Sequence, residues 1–198
     1  MKDNFETLKE KRLTHEEKVE IHDFLCGKPV KKVKKGFIIA ESNKMAKDKT
    51  LKWIELIGDK TIFREDIGEV VFSRAGVKSS FEHRIYQNKL DALPAIPDAI
   101  KKGKVVDISN DFDGKPIKNT LIVAPIQIGE NVKILTVRLR MIKGQDNKFY
   151  LHDIFVMRDM KKKGNAVKAG SAGKPVGESS KSIAHIKNIL HDILSVKN

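Results

Sequence analysis

Cysteine is almost missing from this chain: Cys26 is the only one among 198 residues. A single thiol excludes an intrachain disulfide and any metal site built on paired cysteines. The usage fits a reducing compartment. Aromatic residues are scarce at 6%, which argues against a module that reads single strands mainly by stacking bases on rings. No run approaches the ~18–20 consecutive apolar residues of a membrane span. The stretch from Met1 to Glu20 is charged throughout, so neither a secretory signal nor a membrane partner is expected.

What the chain does have is positive charge and enough apolar residues to close a core. Hydrophobic residues make up 40% and the formal net charge is +13. Residues 131–168 hold ten Lys/Arg and three Asp/Glu, a net +7. Much of this charge falls on segments that read as strands rather than in a tail. A cationic surface that attracts polyphosphate is therefore expected, with a merely solvated face as the alternative.

The pattern along the chain predicts an α+β protein. Thr14-His-Glu-Glu17 fits a capping box opening a helix that Gly27 and Pro29 end. Lys31, Lys32, Lys34 and Lys35 follow as a basic cluster, read as a linker or a phosphate contact. Residues 36–72 read as short strands and turns, with apolar runs at Phe37–Ala40, Leu51–Ile57 and Ile67–Phe72. Ser79-Ser-Phe-Glu82 fits a second capping box, and its helix would run to about Leu93 before Pro94 and Pro97. A shorter helix would end at Gly103. Strands are predicted at Val105–Ser109, Leu121–Ile128, Lys133–Met141 and Phe149–Met157. Lys161–Ser179 reads as a loop. Ser180 caps a last helix with Ile183, Ile186, Leu190 and Ile193 on one face, for packing on the sheet or on a partner.

Three apparent motifs fail. Gly170–Lys174 lacks the leading glycine and the Ser/Thr of a phosphate loop, since Lys168 and Pro175 stand there. The acidic run Asp107–Gly114 lacks the bidentate Glu of a calcium loop, its twelfth position from Ser109 being Thr120. No histidine pair has the HExxH spacing, so neither a metal nor another cofactor is expected.

Two histidines carry the chemistry. His83, beside Arg84 and shortly after Lys78, falls at the start of the Ser79-capped helix, where the dipole attracts phosphate. It is read either as a general base or as a locally bonded helix-start histidine. His152 lies mid-strand with Tyr150 on its face. If Arg138 and Arg140 share that face, an imidazole, a phenol and two guanidiniums meet on one sheet surface. The opposite parity, with Phe149, Leu151 and Phe155 inward, is the alternative. His185 and His191 flank the apolar stripe of the last helix and are read as solvent-facing.

Several phrases resemble one family in order. Ile67–His83 is similar to the opening strand, turn and His-bearing helix start of the third large polyvalent-protein-associated domain. Ala95–Ile100 with Gly103, Ala124-Pro125 before Ile128-Gly129, and Phe149–Asp153 resemble its later segments. Ser180–Ile183 resembles the start of its closing helix. The resemblance covers residues 65–198 approximately, leaving 1–60 as an extension and 61–198 as the domain. Such domains of phage and mobile-element proteins look like relatives of metal-independent RNases and toxins of the barnase–EndoU–colicin–RelE group. The resemblance implies helices followed by a four-stranded antiparallel meander and a C-terminal helix. It also implies an endoribonuclease toxin acting in a bacterial cytoplasm, delivered by phage or a secretion system, on RNA such as tRNA. His83 and His152 would be its acid–base pair, with Arg138 and Arg140 on the phosphate. Lys78, Arg84, Tyr150 and Ser182 would bind substrate, and a cognate immunity or antitoxin protein would neutralise it. The alternative is a non-catalytic module binding nucleic acid or protein.

Overall fold

Two long alternating segments form the centre of the protein. They run antiparallel, and Gly129 between them has φ of 59°, a left-handed turn position that favours glycine. The computed structural model describes residues 4–58, 60–80, 86–110, 115–143, 148–157 and 179–196. In chain order the strands are β1 (Lys31–Val33), β2 (Lys60–Arg64), β3 (Gly68–Phe72), β4 (Lys104–Asn110), β5 (Ile117–Ile128), β6 (Asn131–Ile142) and β7 (Phe149–Met157). The helices are α1 (Asn4–Thr7), α2 (His15–Cys26), α3 (Asn43–Ile57), α4 (Arg74–Ser80), α5 (Gln87–Asp91), α6 (Ile96–Lys102) and α7 (Ser179–Leu194).

All seven strands belong to one mixed sheet, ordered β1-β5-β6-β7-β3-β2, with β4 also paired to β5. The β1–β5 and β3–β7 pairs are parallel and the rest antiparallel. This overturns the four-stranded antiparallel meander. The run β4 to β7 exists, but β1, β2 and β3 extend it. Lys31 pairs with Ile126 and Val70 with Phe149. Partners so distant in sequence leave no local signal, and parallel pairs need a long crossover between them. Lys31 and Lys32 are therefore strand residues, not a linker.

Two further expectations fail locally. Leu51–Ile57 is helix, not strand. Ser42 caps α3 through the Met45 N–H at 3.2 Å, and Ala46, Thr50 and Ile54 face inward at i, i+4 and i+8. A threonine in that stripe hides the helical period. The Ser79 capping box is also not used, because α4 already runs through Ser79. Ser73 plays the cap, its Oγ accepting the Gly76 N–H at 3.2 Å. The rest of the expected helix start, residues 81–85, lies outside the described residues, as does the expected 161–179 loop up to residue 178; Ser179 already belongs to α7, so Ser180 is not its cap.

Both faces of the sheet are covered. Ile122, Ala124, Ile126 and Ile128 of β5, with Leu135, Val137, Leu139 and Met141 of β6, join the larger core with α3, α5 and α6. Leu121, Val123 and Ile134 face the other way and pack with Ile21 and Leu25 of α2 and Ile186, Leu190 and Ile193 of α7. Residues before position 60 enter both cores, including Phe5 and Ile54 in one and Leu25 in the other. Thr14 closes the expected capping box of α2, accepting the Glu17 N–H at 3.2 Å while Glu17 accepts the Thr14 N–H at 2.9 Å.

Beyond Tyr150 side chains close the outer edge of β7. The Ser80 hydroxyl donates to the His152 carbonyl at 3.2 Å, and the Val156 N–H donates to the Tyr86 oxygen at 3.2 Å. Burial, opposed by that N–H and reinforced by the Asp153 charge, raises the Tyr86 phenol above its ordinary pKa. At the other end, Gly103 turns α6 into β4. A Cβ there would lie 2.5 Å from the Ala99 carbonyl oxygen and 2.6 Å from Ile122 Cγ2. Gly103→Ala is expected to cost about 1–3 kcal/mol by overpacking, read as a lower urea midpoint with an unchanged slope.

Candidate nucleic-acid interface

Register decides which polar side chains share a surface, because directly opposed residues project from the same face of a sheet. Ser109 opposes Asn119, Asn119 opposes Arg140 and Arg140 opposes Tyr150. One row of four polar residues therefore crosses β4, β5, β6 and β7. The next row runs from Asp107 through Leu121 and Arg138 to Asp153. Both rows lie on the face that α2 and α7 cover further along, where Leu121 and Val123 are buried.

Hydrogen bonds order this strip. Arg140 Nε donates to Asn119 Oδ1 at 3.2 Å. The Ser109 hydroxyl donates to Asp107 Oδ2 at 2.8 Å, and His185 Nε2 lies 3.3 Å from the same oxygen. A carboxylate only accepts, so Nε2 is the donor in this contact. His185 is thus half-buried and engaged, not simply solvent-facing. His191 is exposed.

The predicted residues separate clearly. Arg138, Arg140 and Tyr150 are brought onto one face, all half-buried. His152 is the extra residue of a β-bulge, since Arg138 opposes Asp153 while Leu139 opposes Leu151. Two β7 residues, His152 and Asp153, therefore face one on β6. Simple alternation fails there, and for this reason the sequence left two parities open. His152 is half-buried rather than enclosed in either apolar core. Lys78 is exposed on α4, which packs against β7 and α3 and lies outside the two rows. His83 and Arg84 lie outside the described residues. Ser182 is in the first turn of α7, and its side chain lies outside the described residues.

Sequence reasoning missed Asp107, Ser109, Asn119 and His185. A signal existed for two of them: Asp107 and Ser109 alternate within one strand. It is obscured because Asp107 also opens the acidic run Asp107–Gly114. A second bulge, between Val105 and Asp107, also breaks the period of β4.

Residues 41–150 match the family model of large polyvalent protein-associated domain 3. The match spans more than half of the chain, and the chain belongs to that family. No curated protein and no solved structure matches it. The matched segment starts and ends earlier than the resemblance suggested. It contains the first polar row whole and the second as far as Arg138, whereas His152, Asp153 and all of α7, with His185, follow it. Among the described residues no helix is long and apolar enough to cross a membrane.

Proposed function

We propose that this domain binds RNA across the two polar rows and cleaves it without a metal. The observation that carries this reading is the cross-strand register that sets Arg138, Arg140 and Tyr150 on one face with the Asp107–His185 pair. Adjacent strands are about 4.8 Å apart, so a phosphate on the two guanidiniums lies within side-chain reach of groups on β4 and β7.

Transesterification needs a base for the 2′-hydroxyl, an acid for the leaving 5′-oxygen and cations for the phosphorane. His185 takes the 2′ proton, with Asp107 orienting the ring. The 2′-oxygen attacks phosphorus and the P–O5′ bond breaks, leaving a 2′,3′-cyclic phosphate. His152, opposite Arg138 at the bulge, gives a proton to the 5′-oxygen. Arg138 and Arg140 hold the phosphate, and Tyr150 orients it. In this reading the domain works in a bacterial cytoplasm, and a neutralising partner would act by covering this face.

The test is incubation of the full chain with total RNA in EDTA. Discrete cleavage is expected, and an Arg138→Ala/Arg140→Ala double variant should lose about 10²–10³-fold in rate. One observation favours a second reading, a non-catalytic RNA-binding module: the Asn119–Arg140 contact presents a guanidinium without needing any histidine. Salt-sensitive retention with intact RNA would select that second reading.

A further inference from the structure

Beside the Asp107–His185 pair lies a cleft of about 450 Å³, within the ~300–1,000 Å³ range of small-molecule sites. Its lining has an apolar and a cationic part, completed by Asp107, His185 and Asp192. Leu13, Val106 and Ile189 supply an apolar lining, and all three pack with the second core. Lys11, Arg12 and Lys18 supply cations.

The cations differ in how far they are committed. Lys11 Nζ lies 3.0 Å from Glu17, and Lys18 Nζ lies 3.7 Å from Asp192. Arg12 is exposed and has no ion-pair partner among the described residues. Its backbone is nonetheless fixed. The Lys11 N–H donates to the Ile108 carbonyl at 2.9 Å, making a bridge that holds the segment against β4. A guanidinium on an anchored backbone, next to an apolar wall, suits a phosphate attached to a flat heterocycle.

We infer that this cleft binds the nucleotide next to the scissile phosphate, with its base against Leu13, Val106 and Ile189 and its own phosphate on Arg12. The inference rests on the RNA reading above and deepens it. The cations, Leu13 and Ile189 come from outside the family-matched residues 41–150, before and after it. Base preference at this subsite therefore draws on the flanking segments together with Val106, while Arg138 and Arg140 belong to the shared domain.

The experiment titrates the full chain with adenosine 3′-monophosphate and, separately, with inorganic phosphate, followed by backbone amide shifts. The nucleotide should bind roughly tenfold or more tightly than phosphate and shift residues around 11–13, 106 and 189. Arg12→Glu should weaken it about tenfold, the scale of one charge-assisted contact. Because Arg12 is exposed, that variant is expected to fold; Leu13→Asp, which attacks the apolar wall, should weaken the nucleotide more than phosphate. Equal affinity for nucleotide and phosphate, or an Arg12→Glu affinity equal to the parent's, overturns the inference. Nucleotide binding without RNA cleavage leaves the inference standing and removes the cleavage step. Cleavage with no nucleotide bound in the cleft does the reverse.

Discussion

His185→Ala is expected to lower RNA cleavage by about 10²–10⁴-fold, the usual contribution of one proton-transfer group. The imidazole sits on α7 at a half-buried position that flanks Ile186, Leu190 and Ile193 without belonging to the core stripe. Its loss should therefore change the rate far more than the melting temperature. RNA affinity should fall little, since the guanidiniums of Arg138 and Arg140 supply the phosphate contacts. Asp107→Asn tests the positioning role separately. It should cost less than His185→Ala and should loosen the Nε2 contact, which the ¹⁵N shifts of the imidazole report. Unchanged cleavage by His185→Ala, beside a loss in His152→Ala, would move the base to another histidine. Unchanged cleavage in both variants would leave only the binding reading.

The largest stability effect is expected at Lys89. Its side chain is 3% exposed, and Nζ lies 2.8 Å from Asp153 Oδ1, whose side chain is 8% exposed. The ammonium also donates to the Ser80 carbonyl, and Asp153 Oδ1 accepts the Ile154 N–H at 2.7 Å. One buried pair thus ties α5, the end of α4 and the bulged part of β7 together. Replacing only one partner strands a charge in a poorly solvated place. Lys89→Met should cost about 3–5 kcal/mol, or roughly 6–20 °C in melting temperature for a chain of this size. The double variant Lys89→Met/Asp153→Asn removes both charges and should recover at least half of that loss. A double variant no more stable than Lys89→Met would show that the ammonium itself, through Ser80, holds this corner. Since His152 is the inserted residue beside Asp153, the single variant should also disturb cleavage more than its distance from Arg140 would suggest.

What the sequence by itself determined is local or periodic. The capping box at Thr14, the strand runs of β5, β6 and β7 and the buried stripe of α7 all follow from period-2 or period-3.6 patterns and a cap. These signals need only neighbouring residues. Tertiary structure decided what depends on partners far along the chain. The parallel pairings of β1 and β3 converted a presumed meander into a seven-stranded mixed sheet. The bulges at Val106 and His152 set which side chains share a face. The meeting of Asp107 with His185, 78 residues later, created a dyad that no spacing encodes. The physical reason is the same in each case: register and helix docking are fixed by the burial of both sheet faces at once, and a single segment carries only its own half of that fit.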